Sequence, residues 1–122
     1  MSKKIDEFKD YRKRMNERLL DNKNLSLKRF FHLDSSAFQD GEVSWKTKEM
    51  LGLVASMVLR CDDCIKYHVL RCYEAGLKKE ELLEIFSIGM LVGGSICIPH
   101  SRRALEFWEE LEESDRLEAE QQ

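Results

Sequence analysis

After an acid, Glu49, and eleven intervening residues, the chain carries a Cys-x-x-Cys-x-x-x-His cluster made of Cys61, Cys64 and His68. On an α-helix residues at i, i+3 and i+7 share one face, about a turn apart, so the three side chains line up. Cα atoms three apart on a helix are separated by roughly 5 Å, within the span a disulfide bridges, and the pair can close and reopen. A thiol attacks only as its thiolate. An unassisted cysteine of pKa about 8.5 is about 3% ionised at pH 7, whereas one shifted to about 7 is half ionised. His68, one turn beyond Cys64, is spaced to take that proton directly or through a water. Glu49 is suited to orient His68 or pass its proton on, the logic of a nucleophile, a base and an orienting group.

On spacing alone three readings of the cysteine pair stay open: a redox couple, half of a zinc site, or two buried thiols. Zinc needs two more ligands, and His68 and Cys72 extend the same stripe. From Cys61 to Cys72, however, a helix rises roughly 16 Å, while two ligands of one zinc lie within about 4.6 Å of each other. His100 or a neighbouring subunit would have to complete such a site; otherwise no metal and no cofactor is expected. A thioredoxin fold lacks its βαβ context. Cys72 and Cys97 lie among apolar neighbours and read as core, and His32 as a helix-end residue without a chemical role. His100 follows Pro99 at the start of a helix, and the Gly93-Gly94 break can bring it to line the pocket. That glycine pair lacks the spacing and lysine of a phosphate loop.

Helices must position these groups. Ile5, Phe8, Tyr11 or Arg12, Met15 and Leu19 follow a helical period, predicting an amphipathic helix over residues 4–20. After a polar break at Asp21 to Asn24, Ser26 is the expected N-cap of a short helix carrying Phe30 and Phe31. Asp34 to Ser36 and Gln39 to Gly41 read as loops. Ser44 caps a helix from Trp45 toward Leu59, with Leu51, Val54, Ala55 and Val58 on its buried side. Arg60 to Asp63 is the junction to the helix that bears the cluster, which continues through Val69 to Ala75 and stops at Gly76. The cysteines then lie at a helix N-terminus, where free N–H groups and the macrodipole favour a thiolate. Residues 78–92 form another helix with Leu82, Leu83, Phe86, Met90 and Leu91. Gly93 and Gly94 break it or let helices approach closely. The last helix begins between Ser95 and His100 and runs to about Leu117.

With 122 residues, 43% of them apolar and one proline, the expectation is a single all-α domain spanning residues 1–122. The start, MSKKIDEFKD, has no apolar signal region, and no stretch nears the roughly 20 apolar residues of a membrane span, so no membrane association and a cytoplasmic location are expected. Four cysteines in that setting favour a redox or metal role over a disulfide framework. Residues 1–30 hold ten Lys/Arg against five Asp/Glu, whereas residues 106–122 hold eight acids against Arg116 alone. Both ends read as solvated helix faces, with pairing between them, within or between subunits, as the alternative. A pI near 5.7 and the interleaving of acids with the basic arm exclude nucleic acid as the partner.

Glu49-x11-Cys61-x2-Cys64-x3-His68, followed by the Gly-Gly segment and HSRRALEF at residues 100–107, resembles the AhpD-like, carboxymuconolactone decarboxylase superfamily. The similarity covers residues 45–107, beyond an N-terminal helical arm at 1–30. It implies an all-helical fold of about six helices and a homo-oligomer, trimer or hexamer, with the cysteine pair at a helix N-terminus. By the same resemblance Cys64 is the more reactive thiol, Cys61 its disulfide partner, and His68 with Glu49 the proton relay. The activity implied is antioxidant: reduction of a hydroperoxide or exchange with a disulfide substrate, fed by a protein or lipoyl-type dithiol. The alternatives are a decarboxylase-type lyase or hydrolase using His68 and Glu49, with His100 as a further candidate, as acid and base, with no need of the cysteines, and a non-catalytic oligomeric protein, zinc-loaded or not. The AhpD pattern has a histidine before the second cysteine, where this chain has Asp63 beside Asp62. Two carboxylates between the thiols oppose thiolate formation, so disulfide exchange is expected to outpace peroxide reduction.

Overall fold

The computed structural model describes residues 3–121. Six helices are found there: α1 (Lys3–Leu20), α2 (Leu25–Ala37), α3 (Trp45–Leu59), α4 (Asp62–Glu74), α5 (Lys79–Gly93) and α6 (Cys97–Glu120). No strand occurs among the described residues, and the all-α expectation holds. No described helix is long and apolar enough to cross a membrane.

The core forms where α3 packs on α4 and α5 and α4 packs on α6. Leu53 and Met57 of α3, Ile65, Val69 and Cys72 of α4, Leu82 and Phe86 of α5, and Phe107, Trp108 and Leu111 of α6 are all buried in it. Each large apolar side chain so removed from water contributes about 1.5–3 kcal/mol. Tyr73 meets Trp108 edge-to-face at 4.9 Å. The basic arm is α1, which lies on α6 through buried Ile5 and through Phe8, 5.2 Å from the Phe107 ring. Lys4 reaches Glu110 of the acidic tail at 3.6 Å, a solvent-screened pair that stabilises little beside those aromatic contacts.

The junction between α3 and α4 is built tightly. Arg60 takes a left-handed conformation, φ 60°, and the N–H groups of Arg60 and Cys61 donate to the carbonyls of Met57 and Ser56 at 3.0 and 3.1 Å. This is a Schellman close, with arginine where glycine is usual. Cys61, its last residue, is also the N-cap of α4. One residue thus ends one helix and starts the next.

Several sequence expectations give way here. The N-cap of α2 is Asn24, not Ser26, because the Asn24 side chain accepts from Leu27 N–H at 3.2 Å. Asp34, Ser35 and Ser36 are not a loop but the last turns of α2, where Ser36 bonds back to the His32 carbonyl at 2.9 Å. On α3 the buried residues are Glu49, Leu53, Ser56 and Met57, while Leu51 is 62% exposed and Ala55 is also outward. The helix is apolar on more than one side, and periodicity without a partner does not say which side packs. Leu83 and Leu91 of α5 face outward for the same reason. The glycine pair does both jobs expected of it: Gly94, φ +87°, ends α5, and a Cβ on Gly93 would stand 2.6 Å from Cys97 Sγ.

Candidate active site

Cys61 and Cys64 are joined as a disulfide, with their Cα atoms 5.3 Å apart. Cys61 Sγ also accepts from Cys64 N–H at 3.2 Å, the N-cap contact that serine or asparagine ordinarily makes. Its sulfur therefore lies against the positive end of the α4 dipole. Cys64, in the first turn, is exposed, and Cys61 is half-buried.

One turn on, His68 is packed rather than free. Its Nδ1 lies 2.9 Å from Glu49 Oε2, and Glu49 itself is 2% exposed, so this acid is no solvated helix residue. A carboxylate there accepts from Nδ1–H, which leaves Nε2 as the proton acceptor. Arg71 Nε stands 3.9 Å from the other Glu49 oxygen and its guanidinium stacks over Trp45 at 4.7 Å. That cation offsets the cost of burying the carboxylate. The imidazole is flanked by Phe38 and Tyr67, at 5.5 and 5.3 Å between ring centres. Behind it lies Gly52, where an added Cβ would stand 2.6 Å from His68 Cε1 and 2.9 Å from Nε2.

Cys64 and His68 both line an open cavity of about 220 Å³, together with Arg12, Phe30, Phe31, Asp34 and Tyr67. Its walls are largely aromatic, and α1 and α2 supply the side opposite α4. Burial first, and then the charge of Glu49, hold the Tyr67 phenol above its ordinary range.

Cys61, Cys64, His68 and Glu49 are thus brought together, whereas His100 is engaged elsewhere. Its Nδ1 lies 2.6 Å from Asp62 Oδ1, and Arg103 Nε donates to the other Asp62 oxygen at 2.9 Å. Burial works against ionisation of Asp62, but these hydrogen bonds and charges outweigh it and hold the carboxyl below its ordinary value. Asp63 is paired as well: Arg12 Nη1 donates to its Oδ2 at 2.9 Å. Both carboxylates between the cysteines therefore have cationic partners, which the spacing argument did not include. Among the described residues no group of three or more His, Cys, Asp or Glu side chains could hold a metal ion. Burial, reinforced by the charge of Glu49, pushes the Cys72 thiol up to about 12, and Cys97 is wholly buried with its Sγ on the Met57 carbonyl at 3.4 Å.

Among the described residues, an all-helical fold with a cysteine pair at a helix start and a Glu–His pair behind it defines a thiol-bearing helical domain. Residues 8–110 match the carboxymuconolactone decarboxylase family, and the chain belongs to that family. A crystal structure of a Thermotoga maritima protein, TM1620, shares 51% identity and superposes with a TM-score of 0.87 over 90% of this chain and 96% of its own. A second structure of that protein, at 50% identity and TM-score 0.86 over 90% and 93% of the two chains, is described as a family member with a suggested part in the antioxidative response. The apo form of a Legionella pneumophila family protein, lpg0406, is 27% identical with a TM-score of 0.64, over 87% of this chain and 88% of its own.

Sequence reasoning missed several contributors to the site, Tyr67 and Asp34 of the cavity wall among them. Gly52 had a signal, a lone glycine one turn after Glu49 inside an apolar helix. Arg12, Phe38 and Arg71 had none, because their roles depend on which helices meet.

Proposed function

We propose that this protein is a thiol oxidoreductase in which Cys64 attacks and Cys61 resolves. The observation that carries the reading is that Cys64 and His68 line one cavity, with His68 held by buried Glu49.

In the reduced protein His68 takes the Cys64 proton, and Glu49 stabilises the imidazolium. With a disulfide substrate, the Cys64 thiolate displaces one substrate thiolate and forms a mixed disulfide; Cys61 then attacks Cys64 Sγ and releases the second. With a hydroperoxide, Cys64 attacks the terminal oxygen and releases the alcohol, protonated from His68; Cys61 then attacks the sulfenic sulfur, and water leaves. Either route takes two electrons from the pair and leaves the Cys61–Cys64 disulfide. A protein or lipoyl-type dithiol returns them by attacking Cys64, the exposed sulfur. Cys61 is the better leaving group there, since its departing thiolate is held by the Cys64 N–H and the helix dipole. Such a dithiol supply suits the cytoplasm. The pairing of Asp62 and Asp63 with cations removes the reason to expect weak peroxide reduction, so both substrate classes belong in the assay.

The test is a free-thiol count by intact mass, after mild peroxide or oxidised lipoamide and alkylation, on the parent, Cys61→Ser and Cys64→Ser. Loss of two alkylation sites in the parent, abolished by either substitution, supports the reading. Four thiols untouched by both oxidants would overturn it. Leu59, Leu91 and Val92 stand 76%, 82% and 66% exposed, and this apolar surface supports the homo-oligomer expected above; light scattering gives its size.

A further inference from the structure

Arg12 stands out among the residues of the cavity because it comes from α1, outside the segment that carries the motif. Its guanidinium is fixed on three sides. It donates to Asp63 Oδ2 at 2.9 Å, stacks on the Tyr67 ring at 4.3 Å and lies 5.6 Å from the Phe8 ring. Asp63 immediately precedes Cys64, and the same arginine lines the cavity beside that cysteine.

An unpaired carboxylate next to Cys64 would raise the cost of forming a second negative charge there. The titratable and charged groups of α4 and its junction are Arg60, Asp62, Asp63, Lys66, Tyr67 and His68, of which Tyr67 and His68 line the cavity with Cys64; α2 contributes Asp34, and α3 contributes Glu49 behind the His68 ring. From α6, His100 and Arg103 are both engaged with Asp62, while Arg71, on α4 itself, stands on Glu49. Arg12 is therefore the guanidinium that answers Asp63 and reaches the cavity.

We propose that Arg12 is a positioning residue of the thiol site: by pairing with Asp63 it cancels the carboxylate beside Cys64 and lets Cys64 ionise for attack. The N-terminal arm then does more than cover the core, because it delivers the counter-charge that Asp63, between the two cysteines, requires. The inference rests on the reading of Cys64 as the attacking thiol.

The experiment is the pH profile of Cys64 alkylation, followed by mass in a Cys61→Ser background so that one reactive thiol titrates. Against that background Arg12→Gln should shift the profile up by about 0.5–1 pH unit, a roughly three- to tenfold lower rate on the rising limb. Asp63→Asn should shift it down, and Arg12→Gln/Asp63→Asn should return near the parent. Rescue by Asp63→Asn separates a charge effect from mere loss of α1 packing. A parental profile in Arg12→Gln, or a double variant as impaired as Arg12→Gln alone, overturns the proposal. Should Arg12→Gln not fold, Arg12→Lys, expected to keep the parental profile, and the downward shift of Asp63→Asn still decide it; a displaced Arg12→Lys profile or an unmoved Asp63→Asn profile overturns it. Since the readout needs no oxidant, it can fail while the Cys61–Cys64 couple still forms, and that couple can fail while the shifts remain.

Discussion

Gly52→Ala tests the proton relay without touching any group assigned to chemistry. By propensity the change favours the helix, since alanine replaces glycine in a helix interior with a gain of about 1 kcal/mol. The site opposes it. The new Cβ would stand 2.6 Å from His68 Cε1, 2.9 Å from Nε2 and 3.0 Å from Nδ1, whereas carbon atoms in contact settle near about 3.5–4.0 Å. The ring must therefore retreat by about 1 Å, and Phe38 and Tyr67 on its flanks limit where it can go. A retreat of that size stretches the 2.9 Å contact between Nδ1 and Glu49 toward about 3.9 Å, beyond a hydrogen bond. Overpacking costs about 1–3 kcal/mol, so net destabilisation stays at or below about 2 kcal/mol and the protein remains folded. The rate of disulfide formation under limiting oxidant, read by quenched alkylation, should fall by about 10²-fold, the usual consequence of a 1 Å misplacement. A variant that folds, melts within a few degrees of the parent and oxidises at the parental rate would refute the claim that His68 must be held at this spot.

Three further outcomes follow from the same geometry. Glu49→Gln keeps the shape but removes the charge that supports an imidazolium, so Cys64 alkylation at pH 7 should slow by about tenfold or more while the far-ultraviolet dichroism is unchanged. Arg60→Gly relieves a left-handed arginine at the α3–α4 junction and should stabilise the protein by up to about 1 kcal/mol in urea unfolding, with the redox couple intact. Asp62 has a carboxyl depressed below its ordinary 3.8, so its contribution is present above about pH 4 and is lost as pH falls through the lower folded value. Asp62→Asn should accordingly flatten that acid limb of the stability curve, measured by thermal melts between pH 2 and 5.

Asp62 and Asp63 show what local spacing leaves out. Taken along the chain, two carboxylates between two thiols suppress a thiolate. In the fold, one faces Arg103 and His100 of α6 and the other faces Arg12 of α1. The cations lie 38 to 51 residues away, and nothing in the local spacing points to them.

What the sequence determined by itself was whatever depends on short-range geometry. The closeness of Cys61, Cys64 and His68 in space follows from their short spacing across the start of α4, Ser44 from its capping chemistry, and the helix limits near Leu59, Gly76 and Gly93 from stop signals, because each rests on bonds or rotations within a few residues. The tertiary structure decided what depends on which faces meet. It buried Glu49 rather than Leu51, turned His100 to Asp62 rather than to the cavity, and carried Arg12 from the far end of the chain to Asp63. An apolar helix offers several faces with similar burial free energy, and only the simultaneous packing of α3 against α4 and α5 selects one.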